Sequence, residues 1–287
     1  MIASKRVSYK GSQTCIIWLV LVVGCIDFVP SPSDTSLNSE PSQKAPGLFY
    51  SYNVGDYFNI YVGFPRSYHE NRSTKYPVIY VLDADWYFGS GQRLGNGGVK
   101  GIVNQLVEKG EMPEVLIVGI GYPTGTNNRG RDFVSSYTHF YKFLKDELIP
   151  FVDQSYNTSE ERTLIGHSSG GFFTMYAFFR YPDHVFTNYI CISGDYNRLD
   201  RTLFTEEISL SRQIEDALPV TLYMAVGQRE EERFITSNIE MAEKLESRGY
   251  TKFRFRFTAF RGLDHGTVVG PAIEGGLKWI FSENSGV

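Results

Sequence analysis

Cysteine is scarce in this chain: three residues in 287, at positions 15, 25 and 191. Two of them fall in the first 47 residues, outside the expected domain, so the folded part keeps Cys191 alone and no disulfide can form within it. Cys191 lies in the apolar run Tyr189-Ile-Cys-Ile-Ser193 and reads as a small buried core residue. Long apolar runs are also missing. The N-terminal run Cys15-Ile-Ile-Trp-Leu-Val-Leu-Val-Val-Gly24 has ten residues, too few to span a bilayer comfortably. Positive charge is not in excess either. A net charge of −4 with no basic stripe argues against a nucleic-acid partner. There are no internal repeats. What the chain does have is apolar mass: 42% hydrophobic residues with 21 Phe and 19 Tyr, enough for the core of one large α/β domain or two small ones.

The first 47 residues are a separate object. Lys5, Arg6 and Lys10 precede the apolar run, so residues 1–24 read as a signal peptide. Val22-Val-Gly-Cys25 resembles a bacterial lipobox, which makes Cys25 a lipidation candidate. A plain secretory signal and an uncleaved anchor are the alternatives. Residues 25–47, rich in Pro and Ser and without periodicity, cannot bury a core and read as a flexible tether. The expectation is an enzyme domain over 48–287, held to a membrane by an N-terminal lipid in a bacterial cell envelope, periplasmic or surface-exposed.

The most informative stretch is Arg162-Thr-Leu-Ile-Gly-His-Ser-Ser-Gly-Gly171. With Gly at 28 of 287 residues, a bare Gly-x-Ser-x-Gly carries little weight. Its context carries more: an Ile/Leu strand runs into it and an apolar helix, Phe172 onward, runs out. That is the layout of a nucleophile elbow, with Ser168 on a sharp turn and the Ser169 N–H at a helix start as an oxyanion donor. Strands are expected at Phe58–Phe64, Tyr76–Leu82, Glu114–Ile120, Tyr189–Ser193, Val220–Val226 and Lys252–Thr258. Helices are expected at Tyr141–Tyr156, Asn238–Arg248 and Val268–Phe281. This alternation predicts a mostly parallel sheet with helices on both faces and functional groups at the carboxyl ends of the strands.

A serine hydroxyl needs a base. Of five histidines, His69, His139 and His184 read as structural or surface residues, and the turn should aim His167 away from the Ser168 hydroxyl. His265, in the Gly-flanked loop Arg261-Gly-Leu-Asp-His-Gly-Thr267 after the last strand, has the right place in chain order. The acid stays open among Glu230, Glu231 and Asp195, with an acid-free Ser–His dyad as a further option. A second oxyanion donor is expected from Ala84 or Asp85 after strand Tyr76–Leu82. Trp86 and Arg129 are substrate-binding candidates, although Arg129 or Arg131 could instead pin its own loop through Asp132. Residues 202–218 are a candidate lid.

Taken together, Tyr76-Pro-Val-Ile-Tyr-Val-Leu-Asp83, Arg129-Gly-Arg-Asp132, Gly166-His-Ser-Ser-Gly-Gly171, Ile192-Ser193 and Asp264-His-Gly266 resemble, in order, the esterase family of α/β hydrolases that includes esterase D, feruloyl and acetyl-xylan esterases, siderophore-trilactone esterases and mycolyltransferases. The resemblance spans roughly residues 50–283. It implies an α/β-hydrolase fold, a serine esterase needing no cofactor or metal, and small-molecule or carbohydrate-linked ester substrates. Ser168 and His265 fall on matching positions, and the acid segment Gly227-Gln-Arg-Glu230 departs from the more usual Gly-Glu-x-Glu. The same residues also fit an acyltransferase, and a non-catalytic binding lipoprotein would keep the fold.

Overall fold

The computed structural model describes residues 44–70, 73–89, 94–95, 97–214 and 217–282. Contacts divide the chain into Met1–Glu40 and Pro41–Val287, and every described residue belongs to the second unit. The expected signal peptide, Cys25 and most of the expected tether lie outside the described residues.

Eight strands form one sheet in the order β1-β2-β4-β3-β5-β6-β7-β8. Their ranges are β1 Lys44–Ser51, β2 Asp56–Gly63, β3 Tyr76–Leu82, β4 Leu116–Gly121, β5 Thr158–His167, β6 Asn188–Ile192, β7 Thr221–Gly227 and β8 Arg254–Phe260. β2 runs antiparallel to β1 and β4; all pairs from β4 through β8 are parallel. β1 starts at Lys44, inside the stretch expected to be tether, because Lys44 and Leu48–Ser51 find partners on β2.

The central strands β4, β6 and β7 are buried along their whole length, which is why they read as unbroken apolar runs. Alternate residues feed two cores. Val78, Tyr80, Leu82, Leu116, Val118 and Met224 face one layer, packed by α5 (Ser169–Phe178), α6 (Arg198–Gln213), α7 (Glu232–Ser247) and the helical run from α3 (Tyr137–Lys142) through a π segment to α4 (Ile149–Ser155). Ile79, Val81, Ile117, Ile190 and Ala225 face the other, packed by α1 (Ala84–Tyr87), α2 (Gly98–Glu108) and α8 (Val269–Phe281). α5 is buried from Gly170 to Phe178, so it shows no polar stripe and lies at the centre of its layer. Cys191 is fully buried, and that burial pushes its thiol well above the ordinary range.

Residues 202–213 of the candidate lid lie in α6 instead. Leu203, Phe204 and Leu210 enter the core, and the buried Glu207 carboxylate takes both Nε (2.6 Å) and Nη2 (2.9 Å) of Arg248. A helix tied down in this way is part of the scaffold. Among the described residues no helix is long and apolar enough to cross a membrane.

Candidate active site

β5 delivers the chain into α5 through Ser168, whose backbone (φ 59°, ψ −118°) lies where few non-glycine residues go. Crowding around the turn explains the flanking glycines. A Cβ on Gly166 would sit 2.3 Å from the Gly170 carbonyl oxygen, and one on Gly171 would sit 2.5 Å from that of Ile192. The turn is held from below by the Ser168 N–H, which donates to Ile192 O at 2.9 Å. It leaves the Ser169 N–H in the first turn of α5, ahead of the intrahelical donors.

His265 approaches from the loop after β8. Asp264 fixes that loop, accepting at Oδ1 from the N–H of Gly266 (3.1 Å), the N–H of Thr267 (3.0 Å) and the Thr267 hydroxyl (2.8 Å). Those donors, the Thr267 N–H first, hold the Asp264 carboxyl below its usual range. His265 Nε2 lies 3.0 Å from Ser168 Oγ, and its Nδ1 lies 2.6 Å from Glu230 Oε2. Glu230 comes from the turn after β7 and its side chain is fully buried. Its other oxygen accepts from the Gly227 N–H and the Ser193 hydroxyl, both at 2.6 Å. All three contacts are with groups that can donate, so the polar atoms of this buried side chain are satisfied.

The turn after β3 stands beside the elbow. Asp83, also at positive φ (55°), caps α1, and its carboxylate receives Arg129 Nε (2.5 Å) and Nη2 (3.0 Å). The Trp86 and Tyr87 N–H groups both donate to Asp83 O, so the N–H groups of Ala84 and Asp85 precede the first helical donors.

A family model described as "Putative esterase" matches residues 51–271, which includes every group named above. The chain belongs to this esterase family. It is an ester hydrolase with the α/β-hydrolase fold. It is similar to the ferri-bacillibactin esterase BesA of Bacillus subtilis, 26% identical over 234 residues that cover 71% of this chain and 78% of that protein. A crystal structure of the BES protein from Bacillus cereus superposes with a TM-score of 0.71 at 25% identity, covering 87% of this chain and 99% of that one. The siderophore hydrolase EstA from Aspergillus nidulans shares the fold, with a TM-score of 0.71, 19% identity and coverage of 87% and 99%.

In this esterase the other acid candidates point elsewhere. Glu231 is 71% exposed and pairs with Arg233. Asp195 is buried but lies between Arg198 and Arg233, each 3.3 Å from its Oδ2. Of the three, Glu230 is the one hydrogen-bonded to His265. Ser193 went unassigned in the sequence reading. It follows β6 directly at positive φ (49°), and its place in the Ile192-Ser193 match to the family pattern was the signal that could have found it.

Arg129 was expected to bind substrate. Its Nε and Nη2 bind the Asp83 carboxylate and its Cζ lies 4.8 Å from the Trp86 ring centroid, contacts that hold the Asp83 turn beside that ring. Arg131 pairs with Asp132 and Asp56, as the loop-pinning alternative anticipated. Trp86 lines a polar cleft of about 240 Å³ with Asn59, Tyr61, Asp85, Tyr122 and the 123–127 loop. The Asp85 carboxylate sits there, accepting from the Tyr61 hydroxyl (2.9 Å) and the Tyr122 N–H (2.5 Å). Burial, then Asp85, pushes the Tyr61 phenol up to about 12, so it stays a donor at neutral pH.

Proposed function

We propose that this esterase is a serine carboxylic-ester hydrolase working through a Ser168–His265–Glu230 triad and an acyl-enzyme. The observation that supports it is the unbroken hydrogen-bond chain from Ser168 Oγ through both imidazole nitrogens to the buried Glu230. With the Glu230 carboxylate on Nδ1, the proton of neutral His265 sits on Nδ1 and Nε2 is free to accept. Ser168 Oγ gives its proton to Nε2 as it bonds to the ester carbon, and the carbonyl electrons move onto oxygen. The Ser169 N–H and an N–H of the α1 first turn, at Ala84 or Asp85, receive that oxyanion; each such donor contributes roughly 3–4 kcal/mol. Collapse breaks the carbon–alkoxy bond, and the leaving alcohol takes the proton from Nε2. Water then repeats the sequence on the acyl-enzyme, releasing the carboxylic acid and restoring the Ser168 hydroxyl.

The substrates we assign are siderophore lactones or carbohydrate-linked acyl or feruloyl esters, entering beside Trp86 and Arg129. The siderophore side is supported by what BesA and EstA are named for. We also propose lipid attachment at Cys25, which rests on the Val22-Val-Gly-Cys25 pattern alone. It places the enzyme at a bacterial cell envelope.

Hydrolysis of p-nitrophenyl acetate and butyrate, beside Ser168→Ala, tests the chemistry. The expected result is turnover and organophosphonate labelling in the wild type and neither in the variant. Equal rates in both proteins would overturn the triad. A catecholate trilactone against a feruloyl sugar then ranks the substrates. Labelling with an alkynyl fatty acid, lost in Cys25→Ala, tests the anchor.

A further inference from the structure

The general base proposed above does not stand alone. His167, the last residue of β5, is 4% exposed, and its ring centroid lies 4.5 Å from that of His265 at an interplanar angle of 45°. Phe234 of α7 lies 4.3 Å from the same imidazole at 34°. His265 is therefore packed by two rings while its nitrogens face Ser168 and Glu230. His167 is held in turn by α1: its Nδ1 lies 2.9 Å from Tyr87 Oη, and Tyr87 is 3% exposed. The Tyr87 and His167 rings meet nearly edge-on, at 83° and 5.9 Å.

We propose that His167 is a positioning residue for His265, locked by the Tyr87 hydroxyl, and that this contact couples the oxyanion turn after β3 to the proton-transferring imidazole. The inference rests on the triad reading. The groups facing the two imidazoles are Glu230 and Ser168 on the nitrogens of His265, Phe234 with Arg233 stacked on it at 4.7 Å, Tyr87 on Nδ1 of His167, and Arg129 Nη2 at 3.5 Å from the His167 carbonyl. The His167 ring packs against one face of the His265 imidazole. The ring also keeps water off one side of His265 and fixes its angle. A general base must hold its line to the nucleophile within a fraction of an ångström. Because Tyr87 belongs to the same short helix as Ala84 and Asp85, a shift of the oxyanion turn is felt at His167.

The test is kinetics on p-nitrophenyl acetate for Tyr87→Phe, His167→Phe, His167→Ala and the double variant Tyr87→Phe/His167→Phe. Loss of the lock should lower kcat about tenfold in Tyr87→Phe and in His167→Phe, with KM within twofold. The double variant should be no worse than the poorer single one, because both remove the same bond. His167→Ala loses the ring contact as well as the Tyr87 bond, so its kcat should fall below that of His167→Phe, which keeps the ring contact. If His167→Ala does not fold, the Phe variants still decide. Wild-type kcat in both single variants, or strictly additive losses, would overturn the coupling while a dead Ser168→Ala leaves the triad standing. An inert wild type that takes no organophosphonate would sink both readings.

Discussion

Replacing Glu230 by Gln is the sharpest probe of the site. The side chain is fully buried, so Gln must use the same three contacts. One end of the carboxylate faces only donors, the Gly227 N–H and the Ser193 hydroxyl. An amide therefore turns its oxygen to that end and its NH2 to His265. Nδ1 must then accept, which moves the imidazole proton to Nε2, where it faces Ser168 and cannot take the serine proton. The negative charge that would offset the imidazolium, 2.6 Å from Nδ1, is lost as well. Where an amide replaces a triad carboxylate with geometry intact, the cost is roughly three to four decades in kcat, or about 4–5 kcal/mol of barrier. The assay is steady-state hydrolysis of p-nitrophenyl butyrate beside Glu231→Gln, with thermal melting to check folding. Glu231 is solvent-exposed and its variant should stay within about twofold of wild type. A folded Glu230→Gln enzyme with more than about a tenth of wild-type kcat would refute the assignment.

Other outcomes follow from the same contacts. Ser193→Ala strips one donor from the buried Glu230 oxygen and should lower kcat about tenfold, read in the same assay with KM held. Gly166→Ala forces a methyl against the Gly170 carbonyl and should lower urea-unfolding stability by more than about 2 kcal/mol, with loss of turnover. The Asp264 carboxyl is held below its usual value of 3.8, chiefly by the Thr267 N–H. A depressed folded value means the loop's support is complete above 3.8 and is lost as pH falls through the depressed value. Asp264→Asn keeps an acceptor but no titrating group, so it should flatten that acid-side decline in melting temperature, measured from pH 2 to 6.

Much of the fold is legible in the chain because burial on both faces leaves β3, β4, β6 and β7 as plain apolar runs. The elbow is legible because its glycines are demanded by backbone contacts a few residues away. Three other features come from pairing in space. β1 carries Pro46 and Gly47 and takes its strand pairing from β2, so its first residues look like tether. α2 opens on Gly98 after a glycine-rich stretch that masks its start. Ser193, Tyr87 and His167 owe their contacts to the alignment of neighbouring strand ends, which sequence spacing does not encode. The choice of Glu230 over Glu231 is of the same kind: one residue's difference in a sharp turn decides which carboxylate points inward.

The hydrogen-bonded groups Ser168, Ser193, Glu230 and His265 follow β5, β6, β7 and β8, four strands that are neighbours in the sheet. The Trp86 cleft is built from the other half, on β2, the turn after β3 and the loop after β4. The two halves meet at the turn after β3, where Tyr87 reaches His167 and Arg129 lies 3.5 Å from the His167 carbonyl. Replacing only the 123–127 loop, which lines the cleft and touches none of the four hydrogen-bonded groups, should change ester preference while leaving turnover of p-nitrophenyl acetate within about twofold. The loop after β4 is in that sense interchangeable, and the strand ends from β5 to β8 are fixed.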